Sequence, residues 1–189
     1  MCKYIYPNLP NFIDASTVDN YQHGFVAEVK KNGWRCLAWK KKGELELWTR
    51  RHTLIKDPLP ITREYLMQLP DNTMVDGELL DKRTKDIKDH YYAFDVLYIE
   101  GKSLMHLPYY ERREKLELLI SHNGIWVELA KPIQLGFSAY YKQAVADGDE
   151  GIVIKNIYSK YLIDLKSCPH NPSWFKAKRP ENCFVNKGR

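Results

Sequence analysis

The chain lacks any apolar run long enough to cross a membrane and any cysteine pair typical of a metal site. Its apolar runs fall short of the roughly 18 to 20 residues that span a bilayer, and residues 1–7 lack the apolar core of a signal peptide. The four cysteines include no C-x-x-C pair, which argues against a disulfide framework and a zinc knuckle. We therefore expect a protein without a membrane segment in the cytoplasm, in the nucleoid or, if viral, in the host cytoplasm.

The composition also argues against disorder and against several domains. The 189 residues are 44% hydrophobic and 13% aromatic, ordinary values for a globular protein, and no low-complexity linker or internal repeat divides them. One domain is the expectation at this length. The 29 basic and 24 acidic residues leave a net charge of +5, which suits a polyanionic partner but is common in proteins without one.

The hydrophobic pattern predicts an α+β fold with mainly antiparallel sheets flanked by helices. Residues 25–30 alternate as a half-buried strand, and Asn32-Gly33 predicts a hairpin turn that opens an antiparallel meander. Trp34, Trp39 and Trp48 are expected to pack in its core or on its sheet face. The further predicted strands are 34–39, 44–48, 73–80, 91–99, 151–154 and 174–178, and the predicted helices are 61–69, 108–121 and 137–146.

A long loop is expected between the predicted strands 151–154 and 174–178. Pro169 and Pro172 oppose regular structure there, and such long loops in a compact domain are commonly functional.

Five short motifs with reactive residues follow one another along the chain. Each is ordinary alone: a lysine and an arginine around a glycine are usually a solvated turn, and a strand aromatic is usually core. Together they supply a lysine nucleophile, strand-borne acids, a stackable ring and a closing lysine pair, the parts needed to bind a nucleotide and attack its α-phosphate. The motifs are Lys30-Lys-Asn-Gly-Trp-Arg35, Asp76-Gly-Glu78, Phe94-Asp95, Glu150-Gly-Ile-Val-Ile-Lys155 and Lys176-Ala-Lys178.

In this order the motifs resemble those of the covalent nucleotidyltransferases, and within them most of all the ATP-dependent DNA ligases. The resemblance covers about residues 25–178. Three details favour the DNA ligases: Glu28 two residues before Lys30, the stretch 91–101 running into 107–113, and the E-G-x-V-x-K form of the Glu150 motif. The implied fold is the ATP-grasp-like nucleotidyltransferase domain of DNA ligases.

The resemblance implies roles in the transfer of AMP. Lys30 would attack the α-phosphate of ATP, with Lys176 and Lys178 as catalytic partners that neutralise phosphate charge and disfavour the charged form of the nucleophile. Glu150, and with it Glu78, would bind Mg²⁺ or Mn²⁺.

Other residues would hold the nucleotide and the DNA. Phe94 would stack on adenine and Glu28 would accept a hydrogen bond from its exocyclic amine, while Val29 joins the nucleotide-binding set. Arg35 would meet the ribose, with Glu78 as an alternative ligand of its hydroxyls. Arg50, in a Thr49-Arg50 pair, would meet the 5′-phosphate of nicked double-stranded DNA.

Two departures from the family pattern are visible. Asn32 stands where Asp is usual in K-x-D-G-x-R, and only 11 residues follow Lys178, too few for the oligonucleotide-binding barrel that normally follows. We therefore expect residues 1–189 to form a single monomeric adenylation domain, which works alone or with a separate barrel domain or partner.

Three alternatives stay open at this point. An RNA ligase adenylation domain would use the same residues, a capping guanylyltransferase fits Glu28 less well, and an inactive nucleotide- or DNA-binding module is favoured by Asn32 and the early terminus.

Overall fold

The computed structural model describes residues 4–80, 88–121 and 127–180, which form two sheets and three α-helices. The strands are β1 (Leu9–Phe12), β2 (Phe25–Lys30), β3 (Trp34–Lys41), β4 (Glu44–Thr49), β5 (Thr73–Leu79), β6 (Tyr91–Ile99), β7 (Lys102–Ser103), β8 (Val127–Leu129), β9 (Gly151–Asn156) and β10 (His170–Lys178). The helices are α1 (Pro60–Leu66), α2 (Tyr109–Ser121) and α3 (Phe137–Ala146), with a 3₁₀ helix over Ala15–Asn20.

The strands divide between a first sheet of order β1-β10-β9-β2 and a second of order β4-β3-β5-β6-β7, to which β8 adds beside β6. The pairings are antiparallel except β1 with β10 and β6 with β8, which are parallel. The mainly antiparallel α+β architecture confirms the predicted fold class.

Each sheet buries one face against its own helices. In the second sheet, residues such as Cys36 and Val75 share a core with Leu66 of α1 and Leu116 of α2. In the first, Ala27 and Ile152 share a core with Phe137 and Ala144 of α3. The other face of the second sheet meets β10 and the N-terminal segment through a third cluster, which joins the two sheets.

A buried ion pair fastens α2 to the second sheet. Arg112 and Asp95 are both fully buried, with Nε to Oδ1 and Nη2 to Oδ2 distances of 2.8 Å. Arg112 Nη1 also donates to the carbonyls of Leu107 and Ser159, at 2.7 and 3.1 Å. Burying either charge alone would be costly. Here the opposite charge and the hydrogen bonds of the partner compensate the loss of hydration.

Three predicted elements have the predicted bounds: β2, β6 and α3. The other predicted elements occur within a few residues of their expected ends, whereas β1, β7, β8 and the 3₁₀ helix were not predicted. The prediction that Asn32-Gly33 forms a hairpin was wrong, because β2 pairs with β9 and β3 pairs with β4 and β5.

One smaller prediction was also wrong, and another was met by Trp39 alone in the core. Pro172 lies within β10, where a register shift on the β1 side separates the pairs Pro10–Asn171 and Asn11–Phe175, so that Pro172 occupies an irregular stretch without a ladder partner there. Trp34 is 42% exposed, whereas Trp39 is 7% exposed and part of the core as expected. None of the described helices is long and apolar enough to span a bilayer.

Candidate functional site

A cleft of about 550 Å³ is lined by residues of both sheets. It brings together ten residues that the motifs single out, from five different strands, from the loop after β4 and from the position just before β9. They are Glu28, Val29, Lys30, Arg35, Arg50, Glu78, Phe94, Glu150, Lys176 and Lys178. Asn32, the departure from the family pattern, is half-buried and does not line the cleft.

Lys30 shares the carboxylate of Glu150 with Lys178. The Nζ atoms of both lysines lie 2.7 Å from Glu150 Oε2, and the three side chains are 21%, 15% and 7% exposed for Lys30, Lys178 and Glu150. Strand pairing sets this geometry, since Lys30 is opposite Gly151 in β9 and its backbone carbonyl accepts a hydrogen bond from the Glu150 N–H at 3.0 Å. Gly151 is required because a Cβ there would lie 2.1 Å from the Ala177 carbonyl oxygen of β10.

The net effect of this environment is to stabilise Glu150 as an anion. Burial alone would raise the pKa of its carboxyl, but the ammonium groups of Lys30 and Lys178 outweigh burial and hold that pKa below its usual value. Glu150 and Glu78 are two carboxylates in one cleft, and no group of three or more potential metal ligands occurs among the described residues. Mg²⁺ characteristically takes one or two carboxylates together with water and phosphate oxygens, so this pair fits an ion that arrives with a nucleotide.

Lys176 is a partly buried cation with other cations around it. Its Nζ lies 4.0 Å from the centre of the Phe12 ring of β1. Burial, and then the positive charges of Lys178, Lys30 and Arg50, lower the pKa of Lys176 to about 8, against the opposing effect of Glu150. A bound polyanion would relieve this mutual repulsion.

Arg35 is held by a carboxylate that is wholly buried. Its Nε and Nη2 atoms lie 2.6 Å from Asp76 Oδ1 and Oδ2, and the Tyr161 hydroxyl donates to Asp76 Oδ2 at 2.6 Å. The guanidinium lies 4.5 Å from the centre of the Phe94 ring. The arrangement fixes a planar cation beside the aromatic ring predicted to stack on a base.

Glu28 has two partners that the sequence reasoning missed. Its Oε2 lies 2.6 Å from Lys155 Nζ, and its Oε1 accepts a short hydrogen bond from the Tyr109 hydroxyl. One signal was available, since Lys155 directly follows an apolar strand sequence and a lysine buried there needs a partner. The backbone of Val29 faces away from β9, at the outer edge of β2. Ala27, two residues earlier on the same strand, pairs on that outer side with Ile133, and backbone groups two residues apart on a strand point the same way.

The mouth of the cleft is basic and aromatic. Arg50 is exposed, and its carbonyl accepts a hydrogen bond from Cys168 Sγ at 3.3 Å. The exposed rings of Phe12 and Trp34 lie in the same lining. Neither ring was predicted to be there, because Phe12 lies outside the motifs and Trp34 was expected to pack in the core or on the sheet face.

The fold and the cleft define a nucleotidyltransferase-type domain, in which a lysine at a strand end faces carboxylates and closing lysines. Residues 80–178 match the family model described as the ATP dependent DNA ligase domain, and the chain belongs to this family. The identification confirms the resemblance inferred from the motifs.

Curated relatives are similar over most of this chain. It is 28% identical over 182 residues to a "Probable DNA ligase" of Dictyoglomus turgidum (strain DSM 6724 / Z-1310), covering 80% of this chain and 30% of that protein. It is 28% identical over 171 residues to the "SPbeta prophage-derived DNA ligase-like protein LigB" of Bacillus subtilis (strain 168), covering 81% of this chain and 60% of that protein. The chain therefore spans less than two thirds of the length of these relatives.

Solved structures share the fold. The "mycobacterial DNA ligase D complexed with ATP and MES" superposes with a TM-score of 0.74 at 23% identity, covering 93% of this chain and 60% of that one. An "Archaeal ATP-dependent RNA ligase" superposes with a TM-score of 0.59 at 15% identity, covering 92% of this chain and 48% of that one.

Proposed function

We propose that the chain is the adenylation domain of an ATP-dependent DNA ligase. The observation that carries the proposal is the position of Lys30, whose amine lies in the cleft beside Glu150 and Lys178. The family assignment supports the same activity.

The first step forms a covalent lysyl-AMP. The neutral amine of Lys30 attacks the α-phosphorus of ATP, a P–N bond forms, the bond from that phosphorus to the bridging oxygen breaks, and pyrophosphate leaves with its electron pair. The Lys30 ammonium loses one proton to solvent before the attack, and the nitrogen loses a second proton to solvent as the P–N bond forms. Lys176 and Lys178 neutralise the phosphate charge, and Arg35, Glu78, Phe94, Glu28 and Val29 hold the nucleoside.

A divalent cation, Mg²⁺ or Mn²⁺, would be held by Glu150 and Glu78 and would supply charge neutralisation at the phosphates. Glu150 pairs with the ammonium groups of Lys30 and Lys178, so it is the carboxylate that the two lysines and this ion would share.

The second step transfers AMP to nicked double-stranded DNA. An oxygen of the 5′-phosphate attacks the AMP phosphorus, the P–N bond breaks and Lys30 regains a proton; the 3′-hydroxyl then displaces AMP and seals the strand. Arg50 at the mouth of the cleft would contact the 5′-phosphate. We further propose that the domain is a cytoplasmic monomer and that a barrel domain or a partner protein assists sealing.

The test is the mass of the protein after incubation with ATP and Mg²⁺. We expect an acid-labile gain of one AMP in the wild type and none in Lys30→Ala. Lys31→Ala is the matched control, because the adjacent lysine pairs with Asp149 at 3.2 Å instead of Glu150 and should leave the adduct intact. Absence of the adduct across pH and metal conditions would favour a nucleotide-binding module without this activity, and labelling by GTP instead of ATP would favour a guanylyltransferase.

An RNA ligase adenylation domain is the second candidate, because the archaeal RNA ligase shares the fold over 92% of this chain. AMP transfer to nicked DNA and to a nicked RNA duplex separates the two candidates. Preference for the RNA nick would contradict the first.

A further inference from the structure

A buried lysine in the lining of the cleft lies inside a cage of aromatic rings. Lys155 of β9 is 2% exposed, and its Nζ lies 5.0, 4.8 and 4.9 Å from the ring centres of Phe94, Tyr109 and Trp174. The same atom lies 2.6 Å from Glu28 Oε2. A buried ammonium is costly unless paired, and here three rings and one carboxylate compensate it from different directions. The ammonium is therefore fixed in position.

Glu28 is held from a second direction by α2. The Tyr109 hydroxyl donates to Glu28 Oε1. Burial, and then the negative charge of Glu28, raise the pKa of Tyr109 well above its usual value, so the hydroxyl keeps its proton and remains the donor. With one oxygen held from β9 and the other from α2, the Glu28 carboxylate has a single orientation. Its remaining lone pairs are available at the cleft that it lines.

We infer that Lys155 and Tyr109 are positioning residues for base recognition: both hold the Glu28 carboxylate against the purine, and Lys155 also contacts the Phe94 ring. The inference rests on the proposed function, because it takes Glu28 to meet the exocyclic amine and Phe94 to meet the ring face. A merely structural ion pair would support the fold without affecting which base is bound.

The test compares two nucleotides that differ in the exocyclic amine. Equilibrium dissociation constants of ATP and of purine riboside 5′-triphosphate are measured for the full chain. The wild type should prefer ATP by about tenfold or more, the discrimination that one hydrogen bond to a charged group gives. Lys155→Met keeps an unbranched side chain in the cage but removes the charge, and should bring the ratio close to one.

Tyr109→Phe tests the same inference with less disturbance. It keeps the ring in the cage and removes only the hydroxyl, so the ratio should fall severalfold. The ratio within each variant cancels any difference in the folded fraction. Tyr91→Phe is the matched control, because that buried hydroxyl donates to the carbonyls of Cys36 and Val75 at 2.8 and 3.1 Å and should leave the ratio as in the wild type.

Equal ratios in the wild type, Lys155→Met and Tyr109→Phe would overturn the inference, as would a wild-type ratio near one. The binding measurement is made without a divalent cation, so that lysyl-AMP formation does not consume the ATP, and the adduct is measured separately. The expected ratios without an adduct would therefore contradict only the proposed function, whereas an adduct with unchanged ratios would contradict only the positioning roles.

Discussion

Lys176 lies on β10 with its ammonium over the exposed ring of Phe12 and with three other cations nearby. Burial and these charges lower its pKa from 10.5 to about 8. Because the unfolded chain holds this proton more tightly, the stability of the fold should rise with pH between about 8 and 10.5, as the folded lysine loses its charge first. At neutral pH the charged side chain therefore opposes folding, and a bound phosphate would offset that cost.

We predict that ATP binding near pH 8.5 is accompanied by proton uptake at Lys176. The triphosphate should restore the ammonium of a group that is mostly neutral in the free protein, giving an uptake of up to about three quarters of a proton. Calorimetric titration in two buffers of different ionisation enthalpy measures this number. Lys176→Met should lose most of the uptake.

Lys41→Met provides the control for that measurement. Lys41 pairs with Glu46 at 2.8 Å and lies outside the cleft, so its replacement should leave the uptake as in the wild type. Equal uptake in Lys176→Met and the wild type would show that another group takes the proton.

For single residues, the sequence predicted which side chains belong to the cleft but not the contacts that hold them in place. The motif residues carry recognisable chemistry at recognisable spacings, and all ten line one cleft. Their roles remain predictions. The partners Tyr109 and Tyr161 lie 81 and 85 positions from Glu28 and Asp76, and no local pattern reports contacts that arise from packing between distant elements.

The connection between β2 and β3 is the element in which the sequence pattern misled most. Asn32-Gly33 between two strand patterns predicts a hairpin, but alternation indicates that a segment is a strand without indicating what it pairs with. Gly33 has no left-handed φ. It is needed for close approach instead, since a Cβ there would lie 2.6 Å from the Leu79 carbonyl oxygen and 2.7 Å from Glu78 Cγ.

We predict that Gly33→Ala weakens both the fold and the cleft. The added methyl group must push the connection away from β5, at a cost of about 1 to 3 kcal/mol, and it displaces Glu78 in the cleft lining. Urea unfolding should show the loss of stability, and equilibrium binding should show a weaker affinity for ATP.

Gly43→Ala is the matched control, because it separates the loss of stability from the loss of ATP affinity when a glycine is replaced. Gly43 has a φ of +77° and open space around the position of a Cβ, so alanine there should cost about 1 kcal/mol through the left-handed backbone alone. Its affinity for ATP should stay that of the wild type. A Gly33→Ala variant with unchanged stability and ATP affinity would contradict the close approach.

Across the described residues, the two sheets have separate helical cores and meet at a cleft. The net charge of +5 did not predict this arrangement, because it gives no location. The structure places Lys30, Lys176, Lys178 and Arg50 in a single lining, where they concentrate positive potential beside the exposed rings of the mouth. A polyanion is therefore expected to contact this one face.

We predict that binding of a nicked DNA duplex depends on salt in a way that identifies Arg50 as a phosphate contact. Each neutralised phosphate contributes about 0.9 to the slope of the logarithm of affinity against the logarithm of salt concentration. Arg50→Ala should therefore weaken binding and make the slope shallower by about one. Lys142→Ala removes an exposed cation of α3 outside the cleft and should leave the slope unchanged. If the two variants show the same slope, Arg50 does not contact a phosphate, and the DNA must approach the molecule away from this side of the cleft.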